Sequence, residues 1–303
     1  MRASLSEQGA QRVGKDYEVE PVAVSSGVFH PKISVFSGRD DCHLLVGSGN
    51  LTFGGWGANF EVLEHLHPSF AADAFADAAD FFERMSNNGR VRHGARAHCD
   101  ATAADLRNAI QGKPLTGAIR LLHNLDRSIA EQIVAAAGEL GGATQLLAAA
   151  PFWDTGAAID RLCAALGLDT VFIHAHAHGA VEGRAGANWP VACSSAVNPV
   201  RLDVMTEADK PRRLHAKAFE TICRQGRIVV SGSANATGAA LEPGRNVEAC
   251  VMRLQRDRAA AWAFIPSEAP DRSPRSKPKT RKTSRNAASC APCSTATPCT
   301  AKF

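Results

Sequence analysis

No run of 18 or more apolar residues occurs in the 303-residue chain, which excludes a hydrophobic membrane-crossing helix. A charged-then-apolar signal pattern is also missing from the first residues, so a cytoplasmic protein without membrane insertion is expected. The nine cysteines are odd in number and scattered, which argues against a disulfide framework and for a reducing compartment. Cys290 and Cys293 have CxxC spacing but no second pair, too little for a structural zinc site, and neither metal nor cofactor is expected. Net charge is unevenly placed: residues 264–303 carry eight basic and two acidic side chains, a net +6, leaving −2 on residues 1–263 of the chain's +4. This Pro-, Ser-, Lys- and Arg-rich tail reads as disordered, either a nucleic-acid-binding arm or a solvated end.

What the chain does have is one pattern written twice. His30-Pro31-Lys32 is followed by Gly47-Ser48-Gly49-Asn50 and Glu61, and His215-Ala216-Lys217 by Gly232-Ser233-Ala234-Asn235 and Glu248. The Lys and Asn lie 18 positions apart in both copies, whereas Asn to Glu is 11 in one and 13 in the other, the extra length fitting a Pro243-Gly244 turn. Residues 29–36 and 214–219 read as strands, which puts each His on the same face as its Lys. The strands read over 42–46 and 226–230 then end in small residues that bring Ser and Asn beside the imidazole. A lysine, an amide and a hydroxyl around a histidine suit a phosphate, and a Glu can hold the other ring nitrogen and fix its tautomer. Ser48 and Ser233 fit equally well as turn residues or as phosphate contacts.

The paired motif resembles the phospholipase D superfamily, whose members bring two HxK motifs together across a pseudo-two-fold axis. The Asp that many members carry five residues after the Lys is replaced by Ser37 and Ile222, and the remaining His-Lys-Asn-Glu set is more similar to the nuclease branch, including metal-independent restriction endonucleases. The resemblance implies an α/β fold of two phospholipase D-like lobes, each a mixed β-sheet flanked by helices, with the active site between them. It implies that one His attacks phosphorus while the other protonates the leaving oxygen. Lys32, Lys217, Asn50 and Asn235 then hold the non-bridging oxygens, and Glu61 and Glu248 orient the two histidines. Family analogy favours His30 as nucleophile. The substrate expected is DNA or RNA, in restriction, defence or repair; the alternatives are a phospholipid hydrolase or phosphatidyltransferase, and an inactive nucleic-acid-binding module of a larger complex. A phospholipid enzyme predicts an apolar rim or membrane-binding helix, which the sequence does not display.

The lobes are expected at residues 1–113 and 114–263, divided near Lys113-Pro114, with the tail from 264. Helices are expected over 70–84, over 128–140 behind a capping box of Ser128 and Glu131, and over 155–166. Strands are expected over 144–150, 170–176 and 201–205, and an exposed connection over 87–99. Only 29 residues precede His30, room for a short helix ending near Gly14 and one strand over 17–24. The first lobe is therefore expected to be short, either naturally minimal or clipped at its start. His174, His176 and His178 alternate as a metal comb would, but such a run more often lines a cleft mouth. Trp56, Phe152 and Trp153 follow strands and fit packing better than base stacking.

Overall fold

Strands and helices interleave throughout the computed structural model, which describes residues 2–3, 18–39, 41–89, 91–92, 94–174, 193–202, 212–256 and 264–268. The first half contains β1 (Arg2–Ala3), β2 (Glu18–Val19), β3 (Ala23–Val24), β4 (Ile33–Ser37), β5 (Cys42–Gly47), β6 (Asn59–Phe60) and β7 (Leu63–Leu66), then helix α1 (Pro68–Asn87), β8 (Val91–Arg92) and helix α2 (Arg96–Ala109). The second contains β9 (Ile119–His123), helix α3 (Ile129–Glu139), β10 (Ala143–Ala149), helix α4 (Ala157–Leu166), β11 (Thr170–His174), β12 (Ala196–Leu202), β13 (Arg213–Leu214), β14 (Ala218–Cys223), β15 (Gly226–Gly232), the short helix Gly238–Leu241, β16 (Ala249–Gln255) and β17 (Phe264–Pro266). All described residues fall within one compact unit, Met1–Arg272.

The architecture is mixed α/β. Eight strands form a sheet in the order β17-β12-β11-β10-β14-β15-β16-β9, parallel between β10, β11 and β12 and antiparallel elsewhere. Three antiparallel strands, β4-β5-β7, form the sheet of the first half. All seven residues of β15 are buried, as a strand covered on both faces requires. On one face, α3 and α4 bring Ile129, Ile133, Ile159 and Leu162 against Leu146, Phe219 and Val230. Ser128 caps α3 by accepting a hydrogen bond from the Glu131 amide at 3.2 Å.

A second core gathers Phe75 and Phe81 of α1 with Leu106 of α2, Leu44 and Val46 of β5, and Leu121 and Val251 of the large sheet. Neighbouring residues on β9 and β16 divide between the cores: Leu122, Cys250 and Met252 face the first, Leu121 and Val251 the second. The two halves are thus packed back to back through β9 and β16. Glu64 of β7 fastens the seam, accepting from Ser231 Oγ at 2.9 Å and from Arg253 at 2.6 and 3.0 Å.

Several expectations shift. The segment expected as an exposed connection contains the start of α2, whose buried residues Cys99, Ala103 and Leu106 follow helical spacing among polar neighbours. The histidine motifs precede β4 and β14 instead of lying inside strands; Pro31 has no amide to give a ladder. Residues 264–266, expected as the beginning of a disordered tail, pair with β12 as an edge strand. Lys113-Pro114 lies in the connection from α2 to β9. The helix expected before Gly14, residues 203–205, His176, His178, the Cys290–Cys293 pair and tail residues 269–303 lie outside the described residues.

Candidate active site

Each histidine motif is tied by its backbone to the glutamate strand of the other copy. His30 N donates to Val247 O and Val247 N to Val28 O, both at 2.9 Å, in a parallel bridge just before Glu248. In the second copy β13 pairs in parallel with β6, and His215 N donates to Phe60 O at 2.9 Å, just before Glu61. Gly27 permits the first of these approaches. Its φ is +91°, and a Cβ there would come within 2.5 Å of the Arg245 carbonyl carbon.

This exchange of backbones carries the carboxylates across. His30 Nδ1 lies 2.8 Å from Glu248 Oε2, and His215 Nδ1 lies 2.8 and 2.9 Å from the two oxygens of Glu61. Spacing within one copy does not say which glutamate serves which histidine; the fold pairs each with the other copy's. An ionised carboxylate only accepts, so the proton sits on Nδ1 and Nε2 is the nitrogen left for chemistry.

Both serines are fully buried and serve the glutamates. Ser48 Oγ donates to Glu61 Oε2 and accepts from Val62 N at 2.9 Å, while Ser233 Oγ donates to Glu248 Oε2 and accepts from Ala249 N at 3.0 Å. A hydroxyl has one proton, so donation to a carboxylate leaves none to give a phosphate. Two further residues escaped the sequence reading. Asn59 Nδ2 donates to Glu61 Oε1 at 3.2 Å, and Asn246 Nδ2 to Glu248 Oε1 at 3.1 Å. The signal was available in the repeat Asn59-Phe60-Glu61 and Asn246-Val247-Glu248. Each carboxylate is therefore held by a His, a Ser and an Asn. Behind Glu248, the buried Asn124 accepts from its amide at 2.8 Å and donates to the carbonyls of Ala240 and Glu242 at 2.9 and 3.1 Å.

The lysines complete the group. Lys32 Nζ donates to His30 O at 2.9 Å and Lys217 Nζ to His215 O at 2.7 Å, the same internal bond in both copies. Lys217 Nζ also lies 3.1 and 3.2 Å from the two ring nitrogens of His215. An in-plane position equidistant from both would collide with the carbon between them, so the nitrogen sits against the ring's face. Burial, opposed by Glu248 and Glu61, lowers Lys32 to about 8. Burial, aided by repulsion from Lys32, lowers Lys217 to about 7. His215 is held below the ordinary imidazole value by burial and by Lys217, against the pull of Glu61. Burial pushes the Glu61 carboxyl up, but hydrogen bonds from His215 and Ser48 outweigh it and leave it below its ordinary value.

Asn50 is exposed and Asn235 partly buried, in matching turns where each carbonyl accepts at 2.8 Å from the amide two residues on, Thr52 or Thr237. After Asn50 the chain makes a π-helical turn, Gly54–Ala58, on which Phe53 and Trp56 are 99% and 75% exposed. Leu51 and Leu63 are exposed as well. Trp153, by contrast, is packed, its Nε1 donating to Ala150 O at 3.0 Å, and Phe152 is 41% exposed. His174 is buried at the end of β11.

No family model and no curated protein matches the chain. Among solved structures it is similar to phosphatidylserine synthase from Haemophilus influenzae Rd KW20, at 13% identity and TM-score 0.48 over 80% of this chain and 62% of that one. It is also similar to polyphosphate kinase from Porphyromonas gingivalis, at 11% identity and TM-score 0.34 over 77% of this chain and 31% of that one. The chain spans less than two thirds of the length of either.

Proposed function

We propose that the protein is a metal-independent phosphodiesterase of phospholipase D type that cleaves DNA or RNA through a phosphohistidine. The observation that carries this reading is the crossed clamp: two imidazoles, each fixed through Nδ1 by the other copy's glutamate, with a lysine beside each. One Nε2 lone pair attacks phosphorus and the bond to the leaving oxygen breaks, while the other imidazolium gives that oxygen a proton. The second imidazole then takes a proton from water, whose oxygen attacks the phosphohistidine and breaks the P–N bond. Lys32, Lys217, Asn50 and Asn235 are the groups available to the non-bridging oxygens. A substrate anion favours the charged lysines, restoring the protons that burial removes.

The two roles fall unequally. A cation against its ring and a buried setting favour neutral His215, which supports His215 as the nucleophile and His30 as the proton donor, the reverse of the order family analogy suggests. A defence or repair setting remains part of the proposal.

The test is cleavage of labelled DNA and RNA in EDTA by the full chain, beside His30→Ala and His215→Ala. Cleavage that persists in chelator and disappears in both variants supports the reading. A requirement for divalent metal, or full activity without either histidine, overturns it.

A further inference from the structure

We infer that the turn after Asn50 is a stacking platform for the bases of a single-stranded nucleic acid, with Phe53 and Trp56 as its two rings. The inference rests on the phosphodiesterase reading and deepens it by naming the substrate class. Phe53 and Trp56 follow Asn50 by three and six positions, and both rings are presented to solvent, where a side chain gains nothing by packing. Arg212 and Arg213 are exposed where the neighbouring strand β13 begins, Arg213 standing in register with Asn59 just beyond the turn. Aromatic faces beside cations are what a strand of alternating bases and phosphates needs, because every base has a face to stack and every phosphate a charge. A duplex keeps its bases stacked inside and offers only its backbone here.

A membrane surface is the other polyanion that exposed rings meet, and the vesicle arm of the experiment below separates the two. The turn's own backbone is held internally, Gly55 N donating to Thr52 Oγ1 at 3.2 Å and Trp56 N to Thr52 O at 3.0 Å, so it presents its rings on a fixed support. The glycine at 55 is also required by the turn, since a Cβ there would lie 2.7 Å from the Asn50 amide nitrogen.

The experiment measures binding to the His215→Ala full chain, so that it does not depend on turnover. The probes are an oligothymidylate, a hairpin duplex of the same length and anionic phospholipid vesicles, with and without added Phe53→Ala and Trp56→Ala. The oligothymidylate is expected to bind in preference to the duplex and to weaken by about five- to a hundredfold for each ring removed. Unfolding temperature, expected to be unchanged for side chains this exposed, shows that the variants are folded. Undiminished oligothymidylate binding in the variants, preference for the duplex, or vesicle binding that depends on the two rings overturns the inference. Failure of chelator-resistant cleavage in the parent chain would overturn the phosphodiesterase reading, while the binding measurement would still decide this one.

Discussion

His30 Nδ1 and Glu248 Oε2 lie 2.8 Å apart although 218 positions separate the two residues. The partner relationship, His215 with Glu61, spans 154 positions in the other direction of the repeat. Each half of the site is thus incomplete until the other half's glutamate strand docks against its backbone.

Exchange of this kind predicts crossed effects. Glu248→Gln should change the imidazole tautomer of His30 and leave that of His215 nearly unchanged, and Glu61→Gln should do the converse. Nitrogen and carbon resonances of the two rings read this directly. Each substitution should also lower kcat, on the order of 10²- to 10⁴-fold, as loss of oriented acid–base catalysis does. Effects confined to the histidine of the same copy would contradict the exchange.

Binding of a non-titrating anion should take up protons. With Lys217 at about 7 and Lys32 at about 8, both lowered by burial, much of the pair is neutral at pH 8 in the empty site. Sulfate bound between them should raise both values and draw in about one to two protons per site at pH 8, falling toward none near pH 6. Calorimetry in buffers of different ionisation enthalpy measures the uptake. The same shifts fix a sign for stability. Folded values below the ordinary lysine value of 10.5 mean that the unfolded chain binds more protons, so the lysine contribution to stability of the empty fold rises with pH between about 7 and 10.5.

Ser48→Ala and Ser233→Ala should act through the glutamates. Each removes a donor to a carboxylate and leaves a backbone amide, of Val62 or Ala249, without its acceptor, costing about 1–3 kcal/mol in denaturant unfolding. Steady-state kinetics should show kcat falling with KM little changed. A rise in KM at constant kcat would instead mean that the hydroxyls hold substrate.

Asn124 lies outside every motif, yet three hydrogen bonds converge on it inside the protein. Asn124→Ala should cost about 3 kcal/mol, because the Glu248 amide and two carbonyls lose their buried partner. Urea unfolding checks it, and a change below about 0.5 kcal/mol would contradict the role assigned here.

The residues of the site were legible because their spacing is local: Lys to Asn is set by one hairpin, β4-β5 or β14-β15, and both copies spell it alike. Crossing of the glutamates was not legible, since it depends on which backbone docks on which. Asn59 and Asn246 were spelled in both copies but carry no charge or reactive group to draw notice. Ser48 and Ser233 were ambiguous for a physical reason, a hydroxyl being able to donate to a phosphate or to a carboxylate alike. In the fold, residues 42–46 announced a strand as a short run ending in small residues, whereas α2 hid its three buried residues among polar ones.

The most direct test is mass measurement of the full chain after alkaline quench with a phosphodiester bearing a good leaving group, in EDTA. In His30→Ala the proton donor and water activator is gone, so the nucleotidyl adduct on His215 should form and persist; His215→Ala should carry none. The reverse pattern would contradict the roles given to the two histidines. No adduct in either variant, with activity dependent on added metal, would contradict the account at its centre.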